Sequence, residues 1–107
     1  MADEIVSEIE QEINGNKVLI YMKGTPVFPQ CGFSAATIEI FRELGQPFET
    51  VDVLASPEKR DAIKRYSAWP TIPQVYVDGK FVGGCDIIHE LHARGELKQI
   101  IDQAFAA

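Results

Sequence analysis

Lys17-Val18-Leu19-Ile20-Tyr21-Met22 is a compact β-branched and aliphatic run with no polar alternation. A strand with one face in water alternates apolar and polar residues, whereas a strand covered on both faces does not. These residues therefore predict a strand inside a sheet flanked by helices. Val18 to Met22 is also the longest unbroken apolar run of the chain, far short of the roughly 20 residues that a membrane-spanning helix needs.

Upstream, Ile5, Ile9 and Ile13 recur at helical spacing with acidic residues between them, so the spacing predicts an amphipathic first helix that Asn14-Gly15-Asn16 ends. Its acidic stretch Glu8-Ile9-Glu10-Gln11-Glu12 reads as a solvated face. Downstream, Lys23 to Gln30 carries two prolines and a glycine and reads as a loop feeding into Cys31-Gly32-Phe33-Ser34. Ala35 to Leu44 predicts a helix stopped by Gly45, and Phe48 to Val53 a second strand. Ser56-Pro57-Glu58 combines an N-cap, a proline at the first helical position and an acidic first turn, opening a helix through about Tyr66. Asp78-Gly79 between Val75-Tyr76-Val77 and Phe81-Val82 predicts a hairpin. Ile87, Ile88 and Leu91 mark a helix stopped near Gly95, and Leu97, Ile100, Ile101 and Ala104 a last one. The order α-β-α-β-α-β-β-α-α gives an α/β chain with a four-stranded mixed sheet and helices on both faces.

A length of 107 residues, 46% of them hydrophobic and 24% charged, fits one domain over residues 1–107. Ten Lys and Arg against sixteen Asp and Glu give a net charge of −6, so the surface as a whole repels nucleic acid and anionic lipid, and an anionic ligand must find a local basic site. The acidic start Met1-Ala2-Asp3-Glu4 has neither the charge nor the apolar region of a secretory or transit leader, which predicts a cytoplasmic protein. In a reducing compartment its two cysteines, Cys31 and Cys85, are expected as free thiols unless chemistry uses them.

Cys31 follows a proline-containing loop at the start of a helix, where unpaired N–H groups and the positive end of the helix dipole stabilise a thiolate, and Lys23 ends the preceding strand. The functional reading is a low-pKa nucleophilic thiol; the competing one is a small buried hydrophobe. A redox dithiol needs a second cysteine three positions on, and that position is Ser34. Cys85 reads either as a resolving thiol or as a structural one at a helix entry. His89 and His92 share a helix face, but no carboxylate or thiol pattern joins them into a metal site.

Four motifs stand in order: Lys23-Gly24-Thr25-Pro26, Cys31-Gly32-Phe33-Ser34, Trp69-Pro70-Thr71-Ile72-Pro73-Gln74 and Gly83-Gly84-Cys85-Asp86. Together they resemble the monothiol glutaredoxins of the CGFS type, in their short single-domain form. The resemblance implies a thioredoxin fold, binding of glutathione, and a [2Fe-2S] cluster bridging a homodimer. Cys31 of each chain and two glutathione thiols would then make up the four thiolates that such a cluster takes. It further implies delivery of the cluster to acceptor iron–sulfur apoproteins, complexes with BolA-like proteins, and at most weak glutathione-dependent thiol–disulfide exchange through Cys31.

Residue by residue, the resemblance assigns Lys23 and Arg60 to the glycine carboxylate of glutathione, a task suited to a point charge and a guanidinium fork. It assigns the main chain of Ile72, before a cis Pro73, to strand-like pairing with the tripeptide, and Cys85 and Asp86 to its γ-glutamyl end. Plainer readings stand beside these. Lys23 and Arg60 read equally as solvated charges, Ile72 as core, Asp86 as an N-cap, Gly83-Gly84 as a turn, and Trp69 as a packing residue.

Overall fold

The computed structural model describes residues 3–106, so Met1 and Ala2, the first part of the leader reading, lie outside it, as does Ala107. Helix α1 (Asp3–Asn14) is followed by β1 (Val18–Met22), α2 (Gly32–Leu44), β2 (Glu49–Asp52) and a short 3₁₀ turn (Val53–Ala55). Then come α3 (Pro57–Ser67), β3 (Gln74–Val77), β4 (Lys80–Gly83), α4 (Cys85–Ala93) and α5 (Glu96–Phe105).

The strand order is β2-β1-β3-β4. β1 runs parallel to β2 and antiparallel to β3, and β3 pairs antiparallel with β4, so the sheet is mixed. All five residues of β1 are buried, as the absence of polar alternation requires for a central strand. Its side chains alternate between the two faces. Val18, Ile20 and Met22 join Ile38, Phe41, Ile88, Leu97 and Ile101 under α2, α4 and α5. Leu19 and Tyr21 join Ile5, Ile9, Ile13, Ala62 and Ile63 under α1 and α3.

The second face has a polar seam. Lys59, nearly fully buried, pairs with Glu8 and with Glu12, and the Tyr21 hydroxyl donates to Glu12 at 2.7 Å. Burial pulls the Lys59 ammonium down, but the Glu12 and Glu8 carboxylates outweigh it and hold its pKa up, so it stays charged where α1 meets α3.

Most predicted elements stand where expected. Ser56 caps α3 by accepting from the Lys59 N–H, Pro57 is in its first turn, and the Asp78-Gly79 hairpin has both residues at positive φ. Two boundaries differ. β2 stops at Asp52, because its carboxylate accepts from the Leu54 N–H and turns the chain into the 3₁₀ segment. α2 starts at Gly32, three residues before the predicted start, with Cys31 as its N-cap, and this earlier start places the thiol against the free N–H groups of the first turn. Among the described residues no helix is long and apolar enough to cross a membrane.

Candidate functional site

Cys31 is the N-cap of α2 with extended backbone (φ −157°, ψ 135°), which sets its thiol beside the unpaired first-turn N–H groups of the helix. The Cys31 thiol is held below the ordinary thiol value. The Ser34 N–H is the largest cause, joined by the Phe33 N–H, the Lys23 charge and the Ser34 hydroxyl, against the opposing effect of burial. Ser34 is itself fully buried and accepts from the Lys23 N–H at 3.2 Å. The residue in place of a second cysteine thus fixes the end of β1 and stabilises the thiolate at once.

The β1–α2 loop is pinned rather than loose. Gly24 donates to Asp52 Oδ1 at 2.9 Å, the Gln30 N–H to the Lys23 carbonyl at 2.9 Å, and the Thr25 N–H to the Phe28 carbonyl at 3.2 Å. Gly24 sits at φ 87°, and a Cβ there would lie 2.4 Å from the Phe28 carbonyl oxygen, so only glycine closes this turn. The loop nevertheless turns Val27 and Phe28 to solvent, and Phe33, on the first turn of α2, is 64% exposed at the rim beside Cys31.

Opposite the thiol stands a second wall, built by the chain between α3 and β3 and by the start of α4. Trp69 packs its ring on Phe81, with centroids 5.7 Å apart, and the Ile72-Pro73 bond is cis. Gly84 caps α4, and a Cβ there would come within 3.0 Å of Trp69 Nε1 and 3.3 Å of the Pro73 carbonyl oxygen. The lack of a side chain at Gly84 therefore lets α4 approach this wall. Trp69 Nε1 is a buried donor with no partner among the described residues.

The two walls enclose a cleft of about 510 Å³, lined on one side by Lys23, Cys31 and Phe33 and on the other by Trp69 to Pro73 and Gly84 to Ile87, and Lys64 of α3 lines it too. That volume lies in the range of small-molecule sites. The structure brings together Lys23, Cys31, Ile72, Cys85 and Asp86, five of the six residues singled out in the sequence. Arg60, half-buried on α3, is not among the lining residues; Lys64, one helical turn further on the same face, is. The spacing i, i+4 from Arg60 was the signal for Lys64. Asp86 is an exposed first-turn residue of α4 that lines the cleft and is not the N-cap of that helix, which is Gly84. His92 pairs with Glu43 at 3.0 Å across α4 and α2 while His89 is exposed, so the two histidines share no ligand. Among the described residues no group of three or more His, Cys, Asp or Glu stands close enough to hold a metal ion.

The family model described as Glutaredoxin matches residues 18–82. The chain is similar to a Synechocystis sp. protein named monothiol glutaredoxin ycf64-like, with 53% identity over the whole of both chains. It is similar to the solution structure of reduced poplar apo GrxS14, with 42% identity and a TM-score of 0.85, covering 96% of this chain and 94% of that one. A buckwheat glutaredoxin–glutathione complex has the same fold at 23% identity, with a TM-score of 0.85 over 95% of this chain and 91% of that one. The motifs, the thioredoxin fold of this sheet and these likenesses agree: the chain belongs to the glutaredoxin family, in its monothiol, CGFS-type branch.

Proposed function

We propose that this protein binds glutathione in the cleft and, as a homodimer, holds a [2Fe-2S] cluster that it passes to acceptor iron–sulfur apoproteins. The observation that carries the reading is the depressed thiol of Cys31 at the cleft rim, with Ser34 at the position where a dithiol motif carries its second cysteine.

The donor chemistry fits such a group. A [2Fe-2S] cluster takes four thiolate-type ligands. Cys31 offers one at an exposed rim, and a second chain and two glutathione thiols make up the remainder. When bound, the cluster supplies labile iron–thiolate bonds that an acceptor's thiolates can replace.

This chain's own residues do the rest. The Ser34 and Phe33 N–H groups lower the Cys31 pKa and so favour the thiolate form that ligates. Lys23 and Lys64 supply positive charge for a carboxylate of glutathione, in a chain whose net charge is −6. Ile72 offers main chain along the opposite wall, and the start of α4 at Cys85 and Asp86 offers N–H donors and a carboxylate to the γ-glutamyl end. Glutathione itself is the ligand that the buckwheat glutaredoxin of the same fold carries in its complex.

The same depressed thiol favours a second activity. A Cys31 thiolate attacks the glutathione sulfur of a glutathionylated protein, forming the Cys31–glutathione disulfide and releasing the protein thiolate; a second glutathione thiolate then releases oxidised glutathione and restores Cys31. A BolA-like protein in place of the second copy is the regulatory form of the same site. The cytoplasm is the compartment proposed, since its glutathione supplies the co-ligand.

Anaerobic reconstitution with iron and sulfide, with and without glutathione, tests the carrier reading. A visible chromophore that requires glutathione and is lost in Cys31→Ser is the expected result. A colourless protein under both conditions overturns it and leaves thiol exchange, which a coupled deglutathionylation assay measures.

A further inference from the structure

Gln74 opens β3 and is fully buried, yet it carries a primary amide in the midst of the apolar interior. A buried amide is costly unless its donors and acceptor are matched. Here they are. Gln74 Nε2 donates to the Trp69 carbonyl at 3.1 Å and to the Thr71 carbonyl at 3.3 Å, and Gln74 Oε1 accepts from the Tyr76 hydroxyl at 3.2 Å. Two carbonyls on one side and a hydroxyl on the other fix which way the amide faces. Burial pushes the Tyr76 phenol up to about 12, so it stays a donor throughout the physiological range.

Both carbonyls belong to the segment that forms one wall of the cleft, and that segment lies outside helix and sheet. The Gln74 amide thus does for Trp69 and Thr71 what ladder bonds do for a strand. The Trp69 N–H is held as well, by the Lys64 carbonyl at 3.1 Å and the Ser67 hydroxyl at 3.1 Å. Gln74 itself is not among the residues lining the cleft, so whatever it does for a ligand it does through this segment.

We infer that Gln74 is a positioning residue of the glutathione cleft: its amide sets the main chain of Trp69 and Thr71, and through them the wall on which Ile72 meets the tripeptide. The inference rests on the glutathione reading above. It separates the two walls, because the thiol is tuned by Ser34, Phe33 and Lys23 on the other side.

The test uses the full chain and S-methylglutathione, which binds without forming a disulfide. Calorimetric affinity well below the melting temperature is measured for wild type, Gln74→Leu and Gln74→Asn. For each, the pH midpoint of Cys31 alkylation by iodoacetamide is followed by mass spectrometry. Gln74→Leu is expected to weaken binding about tenfold, the loss of the two carbonyl bonds, with the Cys31 midpoint unmoved. A residue that only stabilised the fold would lower the melting temperature and leave the affinity unchanged. A folded Gln74→Leu with wild-type affinity, or one whose Cys31 midpoint shifts together with the affinity, overturns the inference. Should Gln74→Leu not fold, Gln74→Asn decides: it keeps a polar group one methylene short of the carbonyls, and wild-type affinity in it overturns the inference equally. Wild type that does not bind S-methylglutathione removes the glutathione reading itself, and this inference with it.

Discussion

The two walls of the cleft are built on different principles. The thiol wall, from Lys23 to Ser34, is polar at its working point: main-chain N–H groups, a hydroxyl and an ammonium converge on one sulfur beside an exposed Phe33. The opposite wall, Trp69 to Pro73 with Gly84, is shaped by packing, with Trp69 on Phe81 and a glycine where a methyl group would be tightly held. One wall decides what chemistry happens, and the other decides what is held against it. Substitutions on the first are therefore expected to move titration and ligation, Lys23 alone also moving affinity through its charge, and substitutions on the second to move affinity.

The largest break in this contrast is Cys31→Ser. It is expected to abolish cluster assembly and thiol exchange while changing stability by only about 1 kcal/mol near neutral pH, since the half-buried thiol lines the cleft and not the core, checked by reconstitution and by urea unfolding. Its pH dependence has a definite sign. Because the folded thiol titrates below the unfolded one, the Cys31 contribution is fully present above the unfolded value and is lost as pH falls through the folded one. The stability gap between wild type and Cys31→Ser should grow with rising pH between those two values and be flat below them. A gap that shrank in that window would contradict the assigned direction.

Gly84→Ala attacks the packed wall. A Cβ 3.0 Å from Trp69 Nε1 and 3.3 Å from the Pro73 oxygen makes the wall give by a few tenths of an ångström, and that shift falls on the segment that faces the cleft. S-methylglutathione affinity should fall while the Cys31 alkylation midpoint stays; a shifted midpoint with intact affinity would reverse the assignment of the walls. Ser34→Ala acts the other way. It strands the Lys23 N–H, at a cost of about 1–3 kcal/mol, and should raise the Cys31 midpoint only in part, because the Ser34 N–H, the larger cause, survives the substitution.

The smallest effects sharpen the picture of the cation that α3 brings to the cleft. Lys64→Ala should weaken glutathione dependence more than Arg60→Ala, since Lys64 lines the cleft and Arg60 does not. Calorimetry at low and moderate salt reads the difference, and a larger loss in Arg60→Ala would return the carboxylate to that residue.

Elements whose signal is local were legible in the sequence. β1 shows its burial by lacking polar alternation, α3 its start by Ser56-Pro57, and the hairpin its turn by Asp78-Gly79. The site was legible where a motif carried it, which brought Lys23, Cys31, Ile72, Cys85 and Asp86 to one cleft. What escaped depended on tertiary contacts. Gly32-Phe33-Ser34 has weak helical character taken alone, so the helix was read from Ala35, yet Ser34 is locked to Lys23 across the chain and the helix begins at Gly32. Gln74 entered only as the last residue of the Trp69–Gln74 motif, and its three partners, Trp69, Thr71 and Tyr76, become visible only when the loop folds back on it. Lys64, which the sequence reading did not name, lines the cleft where Arg60 was expected, because the cleft reaches one turn further along α3.

Native mass spectrometry of the anaerobically reconstituted protein tests the central claim most directly. The account predicts a species of two chains carrying two irons, two sulfides and two glutathiones, absent from Cys31→Ser. A single chain carrying metal without glutathione, or a dimer of wild type that forms equally well with Cys31→Ser, would contradict it.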